Sequence, residues 1–203
     1  MPPTSLDQKS QEARRWQPWL GFAACLLMVL LGTQARVWRA TSDPNFSSAQ
    51  PEGLLKSDPA LLFYITERII DAGGSPPGDF RADPRVQHPL LTDIPAEFTV
   101  GQEFLVAWAY GAFGAGEPLH LFATKFMALL ASLAALGIYG VVFWRTRSVG
   151  WSLGAAALFC LLPANYRTIG FVLIREDLSL PLFLGHLALL ARAERLRSAR
   201  AFL

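Results

Sequence analysis

The run Phe126-Met-Ala-Leu-Leu-Ala-Ser-Leu-Ala-Ala-Leu-Gly-Ile-Tyr-Gly-Val-Val-Phe-Trp144 holds no formal charge and is closed by Arg145 and Arg147. Nineteen such residues in a helix reach about the ~30 Å thickness of a bilayer's hydrocarbon core, so the run reads as a membrane span. Its neighbours repeat the pattern. Ser148 to Tyr166 is apolar, entered by Trp151 and left through Pro163, Asn165 and Tyr166, and Leu178 to Ala191 is apolar again before Arg192, Arg195, Arg197 and Arg200. At the other end Lys9, Arg14 and Arg15 precede Trp16, and the next formal charge is Arg36. Trp16 and Trp19 suit the interfacial belt of a first span. A signal peptide is the rival reading there, with a short core from Leu20 to Leu31 and Thr33-Gln34-Ala35 as a small-residue cleavage site.

Between the first and second runs, Arg36 to Pro118 holds 11 of the 16 acidic residues and most of the prolines. It is therefore an aqueous segment, and too long to lack helices of its own. The clearest starts at Asp58, with Pro59 next, Leu61, Leu62, Ile65 and Ile69 on one helical face, and Gly73-Gly74 as the stop. Gly74 to Pro95 is punctuated by proline and glycine and predicts irregular structure. Phe98 to Phe113 is apolar but carries Glu103, and its length fits an interfacial, a re-entrant or a buried segment equally.

The expected architecture is all-α and polytopic, with about four transmembrane helices and a long external loop containing short helices. Its parts are a tail at 1–15, a span at 16–35, the loop at 36–118 with a helix at 58–72, spans at 119–144 and 148–166, an acidic turn at 167–177, a span at 178–191 and a basic tail at 192–203. Four spans put the N-terminus, the Arg145 to Arg147 turn and the C-terminal arginines on one side. The positive-inside rule makes that side cytoplasmic, in an inner membrane or, for a eukaryotic chain, the endoplasmic reticulum. The loop and the 167–177 turn then share the opposite face. A net charge of +2 without a basic, aromatic-interleaved cluster argues against a nucleic-acid partner. Cys25 and Cys160 lie inside apolar runs and read as small buried hydrophobes.

Two acidic places, Asp58 and the pair Glu176-Asp177, therefore flank membrane entry points on one face. Carboxylate oxygens suit Mg²⁺ or Mn²⁺, which fill their shells from substrate phosphates and water. Arginines clamp phosphate oxygens in bidentate fashion, and Arg68, Arg81, Arg85, Arg167 and Arg175 are available. Both acidic places have structural readings as well: Asp58 as a helix cap, and Glu176-Asp177 as complements of a helix dipole. His88 and Asp83, in the proline-rich loop, are secondary candidates. No glycine-rich phosphate loop, Ser-His-Asp signature or Cys/His metal spacing is present.

Ser57-Asp58-Pro59-(x)4-Tyr64, an arginine in the helix that follows, and Asp83-Pro84-Arg85-Val86-Gln87-His88-Pro89 together resemble the catalytic subunit of oligosaccharyltransferases, members of the C-type glycosyltransferase superfamily. The stretch Leu162-Pro163-Ala164-Asn165-Tyr166-Arg167-Thr168-Ile169-Gly170-Phe171, leading to Glu176-Asp177-Leu178, is similar to that family's turn before its fourth span. The resemblance implies that Asp58 and Glu176 or Asp177 hold a divalent metal and help activate the acceptor, and that the donor is a polyprenyl-linked sugar passed to a polypeptide or glycan acceptor; Arg85, Arg175 and Arg167 are the expected phosphate contacts. The chain departs from the family in having adjacent acids where one residue usually intervenes, which leaves open which of them faces the metal. The family's further spans, later acidic ligand and Trp-Trp-Asp domain have no counterpart here, so the chain corresponds to the opening portion of such an enzyme. A non-catalytic accessory protein retaining the fold is the alternative. A transporter is the weaker third, since no charge lies at mid-span.

Overall fold

The computed structural model describes residues 5–51, 55, 58–114, 116–162 and 173–196, with the side chains of 5–16 excepted. Within these the chain is helical and forms no strand, its one β-type pairing being the isolated bridge between Asp83 and Thr92. The helices are α1 (Ser5–Thr41), α2 (Asp58–Asp71), α3 (Ile94–Glu97), α4 (Gly101–Phe113), α5 (Leu119–Thr146), α6 (Val149–Leu161) and α7 (Glu176–Leu196). Two segments, Gln17–Thr41 of α1 and all of α5, are long and apolar enough to cross a membrane.

The boundaries differ from the sequence reading where charge was used as a stop. α1 continues through Arg36 and Arg39 to Thr41, so residues 36–41 are helix rather than loop. A charge does not break the backbone hydrogen-bond ladder, and Arg36 is buried rather than solvated. α6 covers 13 residues, from the Ser148 cap, whose Oγ accepts from the Trp151 N–H, to Leu161. Residues 163–172, including Arg167 and most of the turn that resembles the family, lie outside the described residues. α7 is one continuous helix of 21 residues around the apolar stretch at 178–191.

The chain divides into two compact units. One comprises Met1–Ala35, Leu129–Asn165 and Ser179–Leu203. Its core joins Cys25 and Val29 of α1, Ala135 and Tyr139 of α5, and Ala156 and Cys160 of α6. Small residues set the approach of the helices. A Cβ at Gly137 would stand 2.6 Å from the Leu184 Cβ and 2.9 Å from the Gly185 backbone N of α7, and one at Gly140 would stand 2.8 Å from the Ala188 Cβ. Large apolar side chains remain exposed on the outer faces of these helices, among them Leu27, Leu30, Trp151, Leu161, Leu182 and Phe183.

The other unit comprises Arg36–Ala128 and Tyr166–Leu178. α2 packs on α4. Ile65 and Ile69 close on Phe80, Val86, Ile94 and Ala107, with Leu61, Tyr64 and Phe104 around them. α2 ends as its glycines dictate. Gly73 takes a φ of 68°, Gly74 N–H donates to the Ile69 carbonyl at 2.8 Å and Gly73 N–H to that of Ile70 at 2.9 Å, a Schellman closure that requires the left-handed conformation. The irregular 74–93 loop is then pinned by Asp83 and Thr92, which exchange backbone hydrogen bonds of 2.9 and 3.0 Å, and by Asp93 capping α3 through the Ala96 N–H.

Gly137→Ala is expected to push α5 and α7 apart, since the new methyl meets α7 backbone that has no rotamer to relax. Thermal unfolding of the full chain in detergent should register a loss of about 1–3 kcal/mol, whereas Gly154→Ala, whose added Cβ meets nothing within 4 Å, should change little.

Candidate functional site

Most sequence-nominated residues among those described belong to the loop-bearing unit, where they divide into three groups. The first is the Asp83 node. Asp83 is fully buried; its carboxylate accepts the Tyr64 hydroxyl at 2.7 Å and the backbone N–H groups of Arg85 and Val86 at 2.8 and 3.1 Å. Burial alone would lift this carboxyl. The Tyr64 hydrogen bond, the two N–H donors and the Arg68 charge outweigh it and hold Asp83 below its ordinary value, while burial and then the Asp83 partnership raise the Tyr64 hydroxyl. The two short motifs of the loop, one ending at Tyr64 and one starting at Asp83, are thus a single hydrogen-bonded assembly. With its acceptors so engaged, Asp83 organises the loop, and His88, exposed before a cis proline, stands outside this network.

The second group lines a cleft of about 330 Å³ walled by Tyr64, Glu67, Arg68, Asp71, Arg85 and Tyr110. Arg68 is held by Asp79. Burial, and then the Asp71 carboxylate one turn away, raise Glu67 above the ordinary glutamate value. The Arg85 side chain, aimed here by the Asp83 turn at its backbone, is exposed and in no ion pair among the described residues. A mixed lining of guanidinium, carboxylate and phenol is suited to a ligand that carries both phosphate and hydroxyl groups.

The third group gathers around two buried acids, Glu103 and Asp177. Glu103 of α4 is fully inaccessible, with Arg175 Nη2 3.8 Å from its Oε1, inside ion-pair range but beyond hydrogen-bond length. Both Glu103 oxygens, both amide atoms of Gln102, and Nε and Nη2 of Arg175 are buried without a hydrogen-bond partner among the described residues. Leaving such groups unpaired is costly, so this is a place built for polar company. Two residues on, Asp177 is 4% exposed while Glu176 is exposed. Burial pushes the Asp177 carboxyl up to about 7, opposed by the charge of Arg36 and assisted by that of Glu176. Burial likewise raises Glu103, against the charge of Arg175.

Asp58 lies exposed in the first turn of α2. Among the described residues no three His, Cys, Asp or Glu side chains gather into a group that could hold a metal ion. The donor set therefore fits a cation of the Mg²⁺ type only in the form where one or two carboxylates bind and substrate phosphates complete the shell.

The chain matches no family model, no curated protein and no solved structure. Glu103, Gln102 and Arg36 escaped the sequence reading as site residues. The signal for Glu103 was its isolation as the one charge between Phe98 and Phe113; for Arg36 it was read as the end of a span.

Replacing Asp83 with Ala strands three donors and is expected to cost about 2–4 kcal/mol, and Tyr64→Phe about 1–2 kcal/mol. Both should appear as faster proteolytic cleavage of the 74–93 loop. Because the folded carboxyl is the stronger acid, its contribution is complete above the ordinary aspartate pKa of about 3.9 and is lost as pH falls through and below that value. The Asp83→Ala chain should lack that acid-side loss.

Proposed function

We propose that this chain is part of a membrane glycosyltransferase, resembling the oligosaccharyltransferase catalytic subunit, that uses a polyprenyl-phosphate or polyprenyl-pyrophosphate sugar. The observation that carries the reading is the acid and guanidinium group at the head of α7: buried Asp177 with buried Arg36, and the part-exposed Arg175 with buried Glu103, in the same compact unit as the Tyr64–Asp83 assembly. Acids and arginines withdrawn from water interact far more strongly with an arriving phosphate than they would on a surface.

In this reading the protein crosses the membrane about four times, through α1, α5, α6 and α7. The loop unit stands on the periplasmic or lumenal side and both termini are cytoplasmic. Exposed leucine, phenylalanine and tryptophan side chains on these helices support lipid contact. Arg85 and Arg175, with Arg167, take phosphate oxygens of the donor. Asp58, with Glu176 or Asp177, would supply the carboxylates for a divalent cation, which when bound supplies neutralisation of the charge that develops on the departing phosphate. A carboxylate of the same set orients the nucleophile of the polypeptide or glycan acceptor. Where Glu176 takes the cation, Asp177, whose carboxyl burial pushes up to about 7, is suited to exchange a proton at that step.

A second reading, an accessory membrane protein that keeps the fold without catalysis, is favoured by the position of Asp58. It is exposed in the first turn of α2, where an acid does no more than complement the helix dipole.

The test is binding of a polyprenyl-phosphate sugar to the full chain in nanodiscs. Asp177→Asn, a neutral isostere, and Arg175→Gln are each expected to weaken binding by about 10–100-fold, with helix content unchanged. Undiminished binding by both variants contradicts the enzyme reading. Undiminished binding by Asp58→Ala alone reduces that residue to a helix-terminal acid.

A further inference from the structure

The ends of α5 and α7 carry a second charged cluster that the proposed chemistry does not use. Trp144, Arg145, Ala191, Glu194 and Arg195 line a cleft of about 420 Å³. Arg145 Nη1 donates to Glu194 Oε2 at 2.6 Å, which ties the two helix ends and neutralises the cluster's carboxylate. The guanidinium carbons of Arg147 and Arg192 lie 4.5 and 5.7 Å from the Trp144 ring centroid. Neither of these two arginines is in an ion pair among the described residues.

Arg147 reaches that position through an unusual backbone. Its φ is 58°, and its N–H closes α5 on the Phe143 carbonyl at 2.8 Å, so the chain folds back and lays the side chain over the last turn. A non-glycine residue held in the left-handed region costs free energy and marks a constraint. Cations at helix C-termini complement the dipole, and that accounts for arginines being here. It does not account for two of them converging on one indole. Guanidinium stacked on a ring has its faces covered and its N–H edges free, the geometry for accepting a planar or tetrahedral oxyanion in bidentate fashion.

We infer that this cleft binds the phosphate of an anionic membrane phospholipid. Arg147, Arg192 and Arg195 contact the phosphate oxygens, and Trp144 supplies the platform. A free phosphate anion would present the same oxygens. The lipid is the occupant the position favours, because the cleft sits at the end of a helix long and apolar enough to cross a membrane, beside a tryptophan of the interfacial type, with exposed Leu189 a turn before Arg192 to meet an acyl chain. The inference requires that α5 cross the bilayer, and it is independent of the glycosyl-transfer reading.

The experiment places the full chain in nanodiscs of phosphatidylcholine with graded phosphatidylglycerol and counts retained lipids by native mass spectrometry. Wild type is expected to retain phosphatidylglycerol selectively. Arg147→Gln/Arg192→Gln should bind it about thirtyfold more weakly. Trp144→Leu keeps every charge and should also lose the preference, which separates a shaped site from general attraction between a basic end and an anionic surface. Wild-type retention by the double-arginine variant overturns the proposal, and unchanged preference in Trp144→Leu overturns the stacked geometry. Displacement of the lipid by excess inorganic phosphate overturns the lipid as occupant.

Discussion

A carboxylate taken out of water must find donors or keep its proton, and the loop-bearing unit is organised by two different answers to that demand. Asp83 finds donors: a tyrosine hydroxyl from α2 and two backbone N–H groups of its own turn. That node fixes the middle of the irregular segment relative to α2, whose Ile65 and Ile69 pack with Phe80, Val86 and Ile94. Neither oxygen of Glu103 has a hydrogen-bond partner among the described residues, and burial raises both Glu103 and Asp177. The first arrangement spends its polarity on structure. The second keeps it available for a ligand or a proton, which is why the proposed chemistry is placed there.

Local rules made much of the fold readable. The charge-free run from Phe126 to Trp144 lies within one helix because nothing in it breaks the ladder or needs water. α2 was legible end to end from Asp58-Pro59, the apolar face and Gly73-Gly74, each of which acts within a few residues of itself. The extension of α1 past Arg36 was not legible. A charge reports where solvent is expected, yet Arg36 is buried, and only the partner brought to it by the fold explains that.

The site was legible in part for the same reason. Residue types suited to phosphate and cation binding could be named along the chain, but their pairings span long sequence separations. Tyr64 meets Asp83 across the loop, and Arg175 reaches Glu103 from a distant segment. Asp83 therefore changed role, from candidate ligand to loop organiser, while Glu103, a solitary acid in an apolar run, entered the site. The meeting of Arg145 with Glu194 brings the ends of α5 and α7 together across a long sequence separation.

In the proposed reading the long loop is periplasmic or lumenal and both termini are cytoplasmic. The most direct measurement is labelling of single introduced cysteines by a membrane-impermeant thiol reagent in sealed vesicles of known orientation. Cys25 and Cys160 are buried and stay silent. Cysteines at the exposed positions Arg81 and Arg195 serve as the two reporters. The account predicts that Arg81→Cys is labelled only from the periplasmic or lumenal side and Arg195→Cys only from the cytoplasmic side. Labelling of both from one side would contradict it.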